Sequence, residues 1–386
     1  MPLQGLAYLE TRSIEAWAKS EGRGAIRIAD FLIVVGTRPE AIKLAPVLFA
    51  LRHAGATVVM ATTGQHPDLL PPTLAAFDIL DVEFPLTPPR ADSFRPLDTV
   101  SQLQRAIRES SAASVIVQGD TASALAGSIA ASIEGVPLHH VEAGLRSHDW
   151  LNPYPEEFHR VLISRLATMH FAPTHTAKSA LIREGRAQQY VHMVGNTVVD
   201  ALRLILSDPG AGLPDGIDPA RRLVILTAHR GESAGAPMRN ILGAAERIAA
   251  RNDVQLIYPV HPRTSAKELA SLSHAGPVEL VEPLAYRDFI PLLRAADLVI
   301  TDSGGIQEEA AVLGTPLLCV RKTTERPEAL QGRCSRLVGT EKNAIVAAAE
   351  ELLDQGPDRV GSLAFGDGHA AARIADVLTR PGISAY

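Results

Sequence analysis

Short β-branched runs alternate with stretches rich in Ala and Leu along most of this chain, and the alternation predicts its architecture. One series of apolar runs falls at 28–36, 57–63, 114–118, 137–141, 168–172 and 191–194, and a second at 223–227, 254–260, 278–281, 297–301 and 316–320. Strand and helix repeated in that order predict parallel sheets. The rhythm breaks at Ser207-Asp208-Pro209-Gly210-Ala211-Gly212-Leu213-Pro214-Asp215-Gly216, a Pro/Gly-rich stretch suited to a linker or a loop beside one. The expected fold is therefore α/β, with two doubly wound, Rossmann-like domains facing a cleft. Its divisions are an extension at 1–27, a first domain at 28–197, a second at 198–367, and a last helix within 368–386 that returns to the first domain.

Composition narrows the function classes. At 386 residues the chain has room for two cores, and 46% apolar with 21% charged residues describes a soluble globular protein. A net charge of −6 gives no electrostatic footprint for nucleic acid. Cys319 and Cys334 are too few for a disulfide framework or a thiolate zinc site, so a reducing cytoplasm is the expected location and no metal is expected. Residues 1–27 hold six charged side chains from Glu10 to Arg23 and no apolar segment, which excludes a signal peptide or membrane anchor. The uncharged run from Thr121 to Ile133 is too short to span a bilayer.

In doubly wound sheets ligands bind beyond the carboxyl ends of the strands, so the chemistry is sought there. Val299 to Thr301 runs into Asp302-Ser303-Gly304-Gly305 and then a helix. Ser303 suits an N-cap, Gly304 and Gly305 allow close approach of a ligand, and free N–H groups at the helix start suit a diphosphate. Glu309, under two turns on, is placed to accept from ribose hydroxyls. After the first strand, Arg38 and Lys43 bring two cations to the start of a Pro-initiated helix, where the dipole disfavours them, and so imply an anion. Asp120 and Glu142 follow two further strands, and Glu156 opens a helix one turn before Arg160. In the second half His229 and Arg230 follow the strand at 223–227 and face the same cleft.

Other signals fail. Gly366-Asp367-Gly368-His369-Ala370-Ala371 fits a dinucleotide pattern but has no βαβ unit after it. His139, His140, Glu142 and His148 resemble a metal cluster only by count.

Taken together, GTRPEAIK at 36–43, GDT at 119–121, HVEAGLR at 140–146, PEEFHR at 155–160, VGNTVVDAL at 194–202, TDSGGIQEEA at 301–310 and TTERPEAL at 323–330 closely resemble the bacterial non-hydrolysing UDP-N-acetylglucosamine 2-epimerases. The resemblance runs from about residue 29 to 380. It implies a GT-B type architecture, a homodimer that closes its cleft on a UDP-sugar, and no cofactor. It also implies reversible conversion of UDP-N-acetylglucosamine to UDP-N-acetylmannosamine through loss of UDP to a 2-acetamidoglucal and its readdition. By the same resemblance Asp120, Glu142, Glu156 and His229 are catalytic. Arg38, Lys43 and Arg160 contact phosphate and sugar, with Arg230 beside them as a substrate-binding candidate. Ser303, Gly304 and Gly305 form the diphosphate loop, Glu309 binds ribose, Phe289 neighbours the uracil, and Arg326 is a further nucleotide contact.

Three departures concern the sugar. Gly231 stands where relatives often carry a second Arg, Leu284 where some have a polar uridine contact, and 147–152 differs from the commoner pattern. A hydrolysing epimerase of the same fold, a 2-epimerase of a modified UDP-sugar and a GT-B glycosyltransferase are the competing readings.

Overall fold

The computed structural model describes residues 29–87, 96–151, 153–228, 235–260, 276–324, 326–330, 335–356 and 359–380. The extension at 1–27, His229 and Arg230 lie outside them. Two all-parallel sheets organise the rest. The first is built from β1 (Phe31–Val35), β2 (Val58–Thr62), β3 (Phe84–Pro85), β4 (Ser114–Gln118), β5 (Leu138–Val141), β6 (Met169–Ala172) and β7 (Val191–Met193), in the order β3-β2-β1-β4-β5-β6-β7. The second is built from β8 (Arg222–Thr227), β9 (Val254–Pro259), β10 (Val278–Val281), β11 (Leu298–Thr301), β12 (Leu317–Cys319) and β13 (Ser335–Leu337), in the order β10-β9-β8-β11-β12-β13. Both sheets reverse direction beside their first strand, which opens the ligand crevice of a doubly wound sheet. The sequence pattern missed β3 and β13. Each is two or three residues long and lies at a sheet edge, where one neighbour suffices and the apolar signal is weak.

The central strands are buried on both faces, as the five-residue run Phe31–Val35 illustrates. Helix α1 (Arg38–His53) is likewise buried around most of its circumference. It lies between the first sheet and two helices, α7 (Thr197–Ser207) and the C-terminal α12 (Ala370–Leu378), so no wide solvent face is required of it. Helix α7 also touches α9 (Tyr286–Ala295) and α10 (Gly304–Leu313) of the second sheet, so it bridges the two halves. Asp200 on α7 accepts hydrogen bonds from the Ala370 and Ala371 N–H groups at 3.2 and 3.0 Å. A carboxylate at that helix start satisfies donors that would otherwise be orphaned. The Gly-Asp-Gly-His stretch before it thus opens a helix whose first donors are already taken. No helix among the described residues is long and apolar enough to cross a membrane.

Three histidines are buried on neighbouring strands: His139 and His140 on β5, and His170 on β6. Burial pulls the His139 and His140 rings down from 6.5 to about 4, and His170 to about 3. All three fold as neutral imidazoles. A base held below its unfolded pKa contributes stability that is complete above about pH 6.5 and is lost as the pH falls from there toward 4. Urea midpoints are therefore expected to be level above neutrality and to decline through that window. His139→Phe, placed beside Phe31 at a ring separation now of 6.2 Å, should make the decline shallower; an unchanged pH slope would exclude His139 as a contributor.

Candidate functional site

The site begins where β1 meets α1. Thr37 caps the helix and Glu40 completes a capping box. One Glu40 oxygen accepts from the Gly36 N–H (2.9 Å), the Thr37 N–H (2.7 Å) and the Thr37 hydroxyl (2.8 Å). Its other oxygen accepts from the Thr121 hydroxyl at 2.6 Å. Glu40 thus ties the turn after β1 to the turn after β4, and burial lifts its carboxyl to about 7 against the pull of those donors. Sequence reasoning passed over Glu40, although Thr-x-x-Glu spacing just before a helix is the signal that marks it. Gly36 is fixed by contact, since a Cβ there would stand 1.8 Å from Ser123 Oγ and 2.2 Å from Thr63 Oγ1.

One turn further along α1, Lys43 is buried and its ammonium donates to Glu142 of the first half and to Glu308 of the second, the latter at 2.8 Å. Arg326 completes the group, donating to Glu308 at 2.5 Å and lying 3.7 Å from Glu142. Gln118 donates to Glu142 at 2.9 Å. Two cations therefore neutralise two carboxylates across the two halves. Burial lifts the Glu142 carboxyl above the usual range, helped by Glu308 and opposed by Lys43 and Arg326. For Glu308 burial acts the same way, but the two cations outweigh it and hold the carboxyl low. Burial opposes the Lys43 charge, yet its two carboxylate neighbours hold it above its ordinary value. The anion implied by the cation at 43 is met here by carboxylates. Glu142 itself sits at φ +62°, a left-handed conformation that is uncommon outside glycine and that clusters at functional sites.

Asp120 follows β4 and takes a two-nitrogen contact from Arg160, one arm at 3.1 Å. Helix α5 (Glu156–Leu166) supplies that arginine and starts at Glu156. The intrahelical partner of Arg160 is Glu157 (2.8 Å), not Glu156, which the sequence places one turn before it. Glu157 also accepts from the Ser147 and His148 N–H groups, so it anchors the preceding loop, and this leaves Glu156 outside that network. The i,i+3 spacing of Glu157 and Arg160 was the available clue.

Between the halves lies a cavity of about 200 Å³ with mostly apolar walls, reached by Arg38 and Lys43 from one side and by Phe289, Ser303, Gly305 and Glu309 from the other. Leu284, Thr227 and Ala228 line it too. His229 and Arg230 come next in the chain, beyond the described residues. Arg38 lies over the Tyr286 and Phe289 rings at 5.8 and 5.9 Å, a cation–π contact across the cleft. Tyr286 donates to Glu309 at 3.1 Å, and burial lifts the Glu309 carboxyl to about 7 against the attraction of Arg38. Ser303 occupies the N-cap of α10 in extended conformation, but its hydroxyl makes no capping bond and its N–H goes to Thr301 Oγ1 at 3.0 Å. A Cβ on Gly305 would meet nothing within 4 Å, so its smallness serves no protein neighbour and leaves the cavity open at the helix start.

Two doubly wound sheets enclosing a cleft, with a helix N-terminus on one wall and buried acids beyond the other, define an enzyme of the GT-B architectural class. A family model described as UDP-N-acetylglucosamine 2-epimerase matches residues 50–379, and the chain belongs to that family. It is 39% identical over 373 residues to the UDP-N-acetylglucosamine 2-epimerase of Escherichia coli K12, covering 92% of this chain and 99% of that one. Among solved structures it is similar to S. aureus MnaA with UDP (TM-score 0.80, 36% identity, 90% of this chain and 95% of that). It is also similar to the Neisseria meningitidis UDP-GlcNAc 2-epimerase bound to UDP-GlcNAc (TM-score 0.81, 32% identity, 90% and 99%).

The two glycines are expected to respond oppositely to a methyl group. Gly36→Ala should lower stability by about 1–3 kcal/mol through overpacking, whereas Gly305→Ala should stay within about 0.5 kcal/mol of the parent. Thermal and urea unfolding of the two variants decides it, and equal losses would show that Gly305 too is held by packing.

Proposed function

We propose that this enzyme interconverts UDP-N-acetylglucosamine and UDP-N-acetylmannosamine by eliminating UDP and adding it back. Residues 28–197 supply the acid/base groups and 198–367 the UDP site. The observation that carries the reading is the buried Glu142 carboxylate, lifted above its usual pKa range and joined through Lys43 to the wall of an apolar cavity that ends on a helix N-terminus.

The chemistry explains why these groups belong together. C2–H of the sugar is not next to a carbonyl, so a carboxylate cannot remove it from the intact substrate. When the C1–O bond breaks, its electron pair leaves on the β-phosphate oxygen and an oxocarbenium-like centre forms at C1. A carboxylate then takes the C2 proton, and the C–H pair becomes the C1=C2 double bond of a 2-acetamidoglucal. Readdition reverses the electron flow: a UDP oxygen rebonds to C1 while a proton arrives at the opposite face of C2. Two faces call for two proton-handling groups, drawn from Asp120, Glu142 and Glu156. A base with a raised pKa is better matched to that task near neutrality than an ordinary carboxylate.

Charge develops on the departing diphosphate, and it is there that fixed donors help most. Arg38, the N–H groups after Ser303 and, by its sequence position, His229 are assigned to it. Lys43 already balances two carboxylates, so its contribution to the phosphate runs through the ion cluster. Phe289 and Glu309 fit uracil and ribose in the apolar and polar parts of the cavity wall. The apolar walls exclude water, which protects the glucal from hydrolysis and favours return of UDP over its release.

Incubating the purified protein with UDP-N-acetylglucosamine in D₂O should place deuterium at C2 and yield UDP-N-acetylmannosamine, both followed by NMR. Free UDP with stoichiometric N-acetylmannosamine would replace this reading with the hydrolysing one, and an inert substrate would point to a modified sugar or a transferase. Asp120→Asn should lose about 10²–10⁴-fold in turnover, the usual worth of a general acid or base, while UDP affinity by calorimetry changes little. Gly305→Ala should do the reverse, weakening UDP by about tenfold, the equivalent of one lost hydrogen bond.

A further inference from the structure

Two histidines outside the assigned catalytic set hold the main chain of the turn that carries Asp120. The Gly119 N–H extends the ladder by bonding to Val141 O at 3.0 Å, and the chain then turns at Gly119 with φ +70°. Past that point both successive carbonyls are met by imidazoles. His140 Nε2, from β5, lies 2.7 Å from Gly119 O, and His159 Nδ1, from α5, lies 2.9 Å from Asp120 O. A carbonyl oxygen has no proton to give, so each ring nitrogen must carry one, and both tautomers are fixed by the contact. His140 Nδ1 is buried with no partner, which keeps that ring neutral and its single N–H pointed at the turn.

The arrangement on α5 is the informative part. His159 grips the main-chain carbonyl of Asp120 and its neighbour Arg160 grips the carboxylate, while Glu156 opens the same helix. One rigid element therefore sets both the backbone and the side chain of one acid relative to another acid three residues before His159. Thr121, the next residue of the turn, caps α4 (Ala122–Glu134) through the Ala124 N–H and donates to Glu40. Every residue of Gly119-Asp120-Thr121 is thus fixed by a side chain from another element.

We infer that His140 and His159 are positioning residues for the epimerisation: their N–H groups hold the Asp120 turn at the spacing from Glu156 that proton transfer at C2 requires. The inference rests on the reading of Asp120 as a proton-handling group. Removing either donor lets the turn shift without touching the UDP cavity, so the loss falls on turnover and not on nucleotide binding.

The test compares shape-conserving variants with variants that restore one donor. His140→Phe and His159→Phe keep a ring and lose the N–H. His140→Gln offers an amide N–H near the Nε2 position, and His159→Asn one near Nδ1. Each Phe variant should lose roughly 10²-fold in kcat, the cost of a misplacement of about 1 Å, with KM and UDP affinity within about threefold of the parent. The amide variants should recover most of that loss, and C2 deuterium wash-in should follow kcat through the series. Phe variants within about threefold of parental kcat, measured beside an inactive Asp120→Asn, would overturn the inference and leave the function standing. So would losses that accompany a fallen melting temperature and weakened UDP binding without amide rescue, since that is the pattern of a purely structural role. Near-normal turnover by Asp120→Asn would overturn the acid assignment itself, and this inference with it.

Discussion

The buried group of Lys43, Glu142, Glu308 and Arg326 is the interaction on which the rest of the site depends. Two charges come from the first half and two from the second, and Lys43 and Glu308 are separated by 265 residues in sequence yet stand 2.8 Å apart. A buried ion left without a partner costs several kcal/mol, so each member is tolerable only while the other half is in place. The spacing of the two sheets is consequently set at this point by hydrogen-bond lengths. Arg38 over Tyr286 and Phe289 makes a second, softer contact across the same cleft. Helix α7 braces the halves from behind, and the cavity between them takes its width from these three constraints.

Much of the layout was legible in the sequence because strand ends in doubly wound sheets are where ligands bind. Asp120, Glu142 and Ser303 were found by that rule, and each does follow a strand end. What escaped was pairing. No spacing rule connects Lys43 with Glu308, or Arg160 with Asp120 forty positions earlier, since those meetings are made by topology and not by local periodicity. Glu40 escaped for a different reason. Its local signal, a capping box, was present, but a cap has a sufficient structural role and gave no cause to look for the Thr121 bond that carries it to the next turn. Glu157 was overlooked in favour of its neighbour because two consecutive glutamates at a helix start look alike until the loop they face is known.

Several residues at and near the cleft, found from the sequence or not, break local rules. Glu142 adopts a positive φ that costs of the order of 1–3 kcal/mol in a non-glycine residue. Ser303 holds an N-cap position without using its hydroxyl as a cap. Glu40 and Glu309 are carboxyls so buried that each is lifted to about 7. A protein selected only for stability would relieve such features with ordinary substitutions. Ser303 and Glu309 line the cavity and Glu142 is joined to it through Lys43, a concentration that marks the cleft as the place where stability yields to chemistry.

That concentration has a physical logic beyond coincidence. A carboxylate whose pKa is lifted by burial must be surrounded by low-dielectric material, and the same surroundings strengthen every fixed donor nearby. The apolar cavity wall and the raised Glu142 therefore belong to a single condition, low-dielectric packing between the sheets. Loosening the ion cluster would admit water and weaken the donors, and it would take from Glu142 both the burial that lifts its carboxyl and the Lys43 and Arg326 charges that pull it down. The environment of Glu142 is accordingly set by both halves at once, through Lys43 of its own half and through Glu308 and Arg326 of the other.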